Sequence, residues 1–245
     1  MEKIPIVITQ EQIRSKHQQP QKENTAMMHA HIAVGMAAKR IAPRVSLGTL
    51  IFAGIFADLL LSVLLLAGVE HLRIAPGFTA VVPMDLYDYP YSHGLLHSMV
   101  WSILLGVGYF AWKRDARGSI VVALVAASHW VFDFISHIPD LPLAPGYGAR
   151  YGLGLWEHYA ATHIVEGALF IGGFALYLKT TRPLDRIGRY ALAGLFTALC
   201  VMMMGSLAGS VPPSATVMAF TTLLQLLLVA LAAWGDRHRE MRVPA

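Results

Sequence analysis

Seven apolar stretches, at about 26–42, 46–69, 94–112, 118–138, 158–178, 188–209 and 214–234, set the terms on which this chain can fold. A bilayer core of about 30 Å is crossed by about 20 helical residues, and six of the seven stretches roughly reach that length. The first is short and holds His29 and His31, so it is read as a tilted, thin or re-entrant segment. Only 14% of the residues are charged, against about 25% in soluble domains. The expected fold class is therefore all-α, a polytopic transmembrane helical bundle of about seven segments. A single membrane domain, 26–236, lies between a polar tail, 1–25, and a basic cytoplasmic tail, 237–245. The polar tail has no apolar core followed by a small-residue cleavage site, so no cleavable signal peptide is expected.

The first partner is thus a lipid bilayer. No basic stripe with interleaved aromatics points to nucleic acid, and the single cysteine, Cys200, excludes an intramolecular disulfide framework. Basic residues orient the chain. Lys39, Arg40 and Arg44 follow segment one; Lys113, Arg114 and Arg117 follow segment three. Lys179, Arg182, Arg186 and Arg189 follow segment five, and Arg237, Arg239 and Arg242 follow segment seven. The alternate connections hold only Arg73 and Arg150, so the basic side is read as the cytoplasm. That places the C-terminus inside and, if segment one spans, the N-terminus outside. The two longer outside connections, 70–92 and 139–157, are rich in Pro and Gly and read as ordered caps over the outer face.

Ionisable residues at membrane depth are costly and usually functional. His129, Asp133 and His137 share one helical face at i, i+4, i+8. With the orientation above, His31, His93, His97, His129, Asp133, His137, His163 and Glu166 all fall at the outer ends of their segments. Asp58 lies deeper, about 16 Å below Val69 by helix rise. Imidazole nitrogen and carboxylate oxygen both suit a divalent metal such as zinc. His31, Asp58, His93, His129 and Asp133 are the candidate metal ligands, and Glu166 and Asp58 the candidate general bases. His97, His137, His163 and Arg73 belong around the rim of that set. His29 reads as a solvated interfacial histidine, and segments six and seven, which carry no acid and no histidine, read as scaffold.

Several of these residues lie within stretches that resemble a family of small bacterial polytopic membrane proteins. The likeness begins at Ala30-His31-Ile32-Ala33-Val34-Gly35 and continues through Asp58, Gly68-Val69-Glu70-His71 and Pro90-Tyr91-Ser92-His93-Gly94-Leu95-Leu96. It then takes in Ser128-His129-Trp130-Val131-Phe132-Asp133 and His137-Ile138-Pro139-Asp140-Leu141-Pro142-Leu143. That family carries no assigned activity, so the likeness implies positions and a bacterial cytoplasmic (inner) membrane, not a reaction. A more distant similarity is to inner-membrane metal-dependent hydrolases regulated by LexA. His97-Ser98 and Ser128-His129 with Asp133 fit their motifs. Ser92 stands where their first motif has a histidine, with His93 displaced by one residue, and Asp58 lacks the preceding proline.

The leading expectation is a membrane-embedded metal-dependent hydrolase whose site lies in the outer half of the bilayer, with a lipid or lipid-linked substrate. The rival expectations are a transporter using the same residues as a proton or metal relay, and a non-enzymatic accessory subunit of a membrane complex. A haem carrier fits the carboxylates poorly. The lipid-phosphatase pattern lacks its P-S-G-H segment here.

Overall fold

The computed structural model describes residues 28–207 and 211–242; the expected polar tail, 1–25, lies outside them. The helices are α1 (Met28–Ala38), α2 (Leu47–Leu66), α3 (Leu95–Lys113), α4 (Ala116–Ser136), α5 (Tyr159–Thr180), α6 (Arg186–Leu207), α7 (Ala215–Leu223) and α8 (Gln225–Arg237). Among the described residues, six helical stretches are long and apolar enough to cross a membrane, α7 and α8 together forming the last. The chain is an all-α polytopic bundle with small two-stranded sheets at its two ends.

The first segment is α1, whose 11 described residues rise about 16 Å. Its described side chains from His29 to Ala38 are buried or half-buried, as suits a helix apolar on every side. Small residues let its neighbours close in. A side chain on Gly54 of α2 would meet the His31 carbonyl oxygen at 2.6 Å, and one on Gly35 would meet the Leu50 backbone at 2.9 Å. Gly173 of α5 lies equally close to the Ala33 backbone. Ile32, Met36, Leu47, Ile51, Ile55, Phe170, Tyr177 and Leu195 form the core around this helix.

Local signals set the helix ends. The Ser46 side chain accepts from the Thr49 amide at the start of α2, and Asp115 and Ser214 cap α4 and α7 in the same way. Beyond α2, Gly68 takes a left-handed conformation (φ 67°), which glycine adopts without steric cost. The helix therefore ends at Leu66 rather than Val69, and Asp58 lies eight residues, or about 12 Å, from that end. The last span is interrupted at Leu224, where the Leu224 amide bonds back to Phe220 and Thr222.

At the basic end, β5 (Thr181–Pro183) pairs with β6 (Arg239–Met241), so much of the expected basic tail is paired. Beneath this sheet Lys39 Nζ bonds Asp236 Oδ2 at 2.6 Å. The Leu47 amide donates to the same oxygen at 2.9 Å, and the Tyr177 hydroxyl donates to Asp236 Oδ1 at 2.7 Å. At the other end, the two Pro/Gly-rich connections form hairpins. Strands β1 (His71–Ile74) and β2 (Met84–Asp88) pair antiparallel with Arg73 opposite Asp85. Leu72 and Leu86 turn inward onto Leu61, Tyr89, Leu141 and Met218, while His71, Arg73 and Tyr87 face out. Strands β3 (Leu141–Pro142) and β4 (Arg150–Tyr151) form the second cap. The Arg150 guanidinium joins the two caps through the carbonyls of Asp140 and Tyr87.

Candidate metal centre

Four elements deliver five side chains to one point toward the hairpin-capped end of the bundle. His31 comes from the first turn of α1 and Asp58 from α2. His93 comes from the turn before α3, and His129 and Asp133 from successive turns of α4. His31 Nε2 lies 3.2 Å from Asp133 Oδ1. His129 Nε2 lies 3.1 Å from Asp133 Oδ2, and His93 Nε2 lies 3.6 Å from that same oxygen. The Nε2 atoms of His93 and His129 are 3.3 Å apart. Asp58 Oδ1 completes the group, 3.6 Å from His93 Nε2 and 3.8 Å from His129 Nε2. The triads His31/Asp58/His129 and His93/His129/Asp133 each bring their donor atoms within 4.8 Å of one another.

The spacing fits a cation. Ligand atoms about 2.0–2.1 Å from a tetrahedral zinc stand about 3.3 Å from each other, and the six separations above bracket that value.

Protonation sharpens the point. His129 Nδ1 stands 2.8 Å from the Gly54 carbonyl; a carbonyl only accepts, so Nδ1 carries the hydrogen. In the neutral ring the Nε2 lone pair then faces two carboxylates. Lone pair and carboxylate oxygen repel unless a proton or a metal ion stands between them. Asp133 Oδ2 is fully enclosed and has no hydrogen-bond partner among the described residues, a costly state for a buried carboxylate oxygen. A proton on His129 Nε2 or a bound cation would relieve both conflicts.

Supporting contacts hold the donors in place. Ser92 Oγ sits 2.8 Å from His93 Nδ1. Glu70, only 1% exposed, accepts from the amides of Tyr91 and Ser92 at 2.7 and 2.8 Å, and so fixes the turn that carries Ser92 and His93. The His31 and His129 rings stack at 3.8 Å. Such outer contacts set the orientation and basicity of metal-binding histidines.

The remaining candidates lie elsewhere. Glu166 accepts from the His29 amide at 3.1 Å and lies 3.3 Å from His29 Nδ1, holding the start of α1 rather than joining the donors. His29 is buried, not interfacial, and its Nε2 donates to the Leu199 carbonyl at 2.9 Å. The ring of His97 packs against Tyr91 at 5.3 Å, and that of His163 against Tyr159 at 4.5 Å. Arg73 pairs with Asp85 at 2.6 Å and is otherwise turned to solvent. His137 does sit on the rim. Its Nδ1 is 2.9 Å from Asp140 Oδ1, and its ring packs on Trp156. Burial and the Asp140 carboxylate hold the Tyr89 phenol well above its usual range, so Tyr89 stays protonated and donates to Asp140 at 3.0 Å.

His31, Asp58, His93, Asp133 and His137 help line a cavity of about 340 Å³. The other walls come from the β1–β2 cap, α6, α7 and α8, so the helices expected to be scaffold also shape the site. Three contributors escaped sequence reasoning. Gly54 carries no chemical signature. Glu70 sits at a span end, where an acid reads as solvated. Gln225 marks the break in the last span; it lines the cavity, and its Oε1 has no hydrogen-bond partner among the described residues.

No family model matches this chain, and no curated protein or solved structure matches it significantly.

Proposed function

We propose that this protein is a membrane-embedded metal-dependent hydrolase. His31, His93, His129 and Asp133 would hold one divalent cation, and zinc is the best match to three imidazoles and a carboxylate. The observation that carries the proposal is Asp133 Oδ2, a buried oxygen with no hydrogen-bond partner among the described residues, facing two imidazole nitrogens at 3.1 and 3.6 Å. A bound cation of this kind supplies a Lewis acid and an activated water near neutral pH.

The chain's own residues supply the rest. Gly54 fixes the His129 tautomer, and Glu70 with Ser92 fixes His93. The Asp58 side chain is 28% exposed, against 3–4% for the other four, and it lines the cavity. It is placed to serve as a fifth ligand or to take a proton from water. Water would then add to an acyl or phosphoryl centre, the bond to the leaving oxygen or nitrogen would break, and the proton would pass to that atom. Glu166, the other candidate base, is engaged by His29.

The likeness to LexA-regulated inner-membrane hydrolases supports the same reading. With the basic end in the cytoplasm of a bacterial cell, the cluster would occupy the outer half of the bilayer.

Metal analysis of purified wild type beside Asp133→Ala and His129→Ala tests the proposal. About one divalent ion per chain is expected in wild type, and background levels in both variants. No ion in wild type, or unchanged content in both variants, would sink it. Turnover of ester probes without flux across proteoliposomes separates the hydrolase from a permease.

A further inference from the structure

We infer that the cavity beside the five donors takes one acyl chain of a membrane lipid, with the lipid's polar head at the His/Asp cluster and its chain along the hydrocarbon part of the lining. The role of the head rests on the hydrolase reading; the seating of the chain does not. One chamber combines two unlike surfaces. His31, Asp58, His93 and Asp133 present nitrogen and carboxylate oxygen, while Leu61, Leu72, Met84, Leu86, Met202 and Met218 present hydrocarbon. A soluble polar substrate leaves the second surface unmatched, and a hydrocarbon leaves the first. An amphiphile matches both.

Hydrogen bonding points the same way. Ser62 also lines the cavity, one turn along α2 from Asp58, but its hydroxyl donates to the Asp58 carbonyl at 2.8 Å. Thr221 likewise donates to the Met218 carbonyl at 2.8 Å. Both hydroxyls are satisfied within their own helices, so they demand no polar partner from the occupant. Gln225 Oε1 and Trp156 Nε1, with no hydrogen-bond partner among the described residues, are what this lining offers to a polar atom.

Size and position select the amphiphile. About 340 Å³ lies at the low end of small-molecule sites, about 300–1,000 Å³, with room for a head and part of a chain. Met218, Thr221 and Thr222 of α7 face the cavity, while Phe220, Leu224 and Leu227 on the same span are exposed. One helix thus separates the cavity from the surrounding lipid. The methionines of the lining suit a flexible chain, because their side chains adapt to irregular shapes.

The test uses the full-length protein in vesicles containing a phosphatidylcholine with a diazirine on one acyl chain. A parallel arm uses the free fatty acid bearing the same diazirine. Photolysis followed by peptide mapping reads where the chain lies. Adducts are expected at Met202 and Met218 in addition to the outward Phe220 and Leu227. In Met218→Trp, or in Met202→Phe should the first variant misfold, the inward adducts are expected to fall about tenfold, as bulk fills the lobe, while the outward adducts persist as the control. Labelling by the phospholipid assigns the chain to an esterified lipid; labelling of the inward sites by the free acid alone overturns that assignment. Adducts confined to outward residues in wild type, or inward labelling unchanged in both filled variants, overturn the proposal. Metal analysis of the same wild-type preparation separates the two readings. Inward labelling in wild type that holds no metal leaves the lipid site standing without the hydrolase. Metal binding without inward labelling does the reverse.

Discussion

Two buried charge clusters stand at opposite ends of this bundle, built from similar parts and resolved in opposite ways. At the basic end, one carboxylate, Asp236, meets one cation and two neutral donors: Lys39, the Leu47 amide and the Tyr177 hydroxyl. Both of its oxygens are bonded, and the Lys39 ammonium also donates to the Val45 carbonyl. At the hairpin-capped end, two carboxylates meet three imidazoles, and Asp133 Oδ2 is left without a hydrogen bond. The first cluster is complete within the protein and holds α1, α2, α5 and α8 together. The second is complete only with a proton or a cation added. Burial alone therefore does not tell the two clusters apart; the unresolved donor set does.

Variants can break that comparison. Asp236→Ala leaves Lys39 buried and unpaired, and about 3–5 kcal/mol of stability should be lost. Thermal or denaturant unfolding in detergent measures this, with metal content per folded chain unchanged. An equal loss of metal would show that the two clusters are not separate. Gly54→Ala ranks next. Its methyl would press on the His31 backbone and shift the carbonyl that orients His129. A stability loss of about 1–3 kcal/mol is expected, with metal affinity down about 10–100-fold, read by competition with a chromophoric chelator.

Glu70→Gln keeps an acceptor for the Tyr91 and Ser92 amides but removes the charge. Metal affinity should fall by about tenfold with little change in unfolding, whereas Glu70→Ala should add a stability loss of about 1–3 kcal/mol. Identical metal affinities in wild type and both variants would remove Glu70 from the site. The smallest effect belongs to Asp185, on the surface of the basic end. The Gly188 amide and His238 hold its carboxyl below the usual carboxylate range. Its contribution is present above the unfolded-state value of about 3.9 and is lost as pH falls through the folded value. Asp185→Asn should therefore leave the unfolding midpoint nearly unchanged at neutral pH and reduce its fall below about pH 4. A large shift at pH 7 would contradict the exposed setting of this pair.

Much of the architecture was legible because a spanning helix needs a long apolar run, and each such run left its mark. The five converging donors were legible for a related reason: an Asp or His inside such a run has few structural explanations. What could not be read was contact between distant segments. Lys39 and Asp236 are 197 positions apart, and each sits at a span end, where a charge is ordinarily solvated. His29 resembled an interfacial residue until Glu166 and Leu199 enclosed it. The hairpin strands are two to five residues long and hidden among prolines and glycines. The cavity wall from α6 and α7 was invisible for another reason, since ordinary apolar residues look alike whether they face lipid or a chamber.

The pairing of β5 with β6 ties the end of α5 to the end of α8, reinforced where the Arg242 amide donates to the Thr180 carbonyl and Arg239 to the Gly188 carbonyl. Helices α5 through α8 thus form a loop of chain stitched shut at one pole, like pages bound along a spine. Pulling the end of α5 away from the end of α8 therefore has to break strand pairing as well as helix packing.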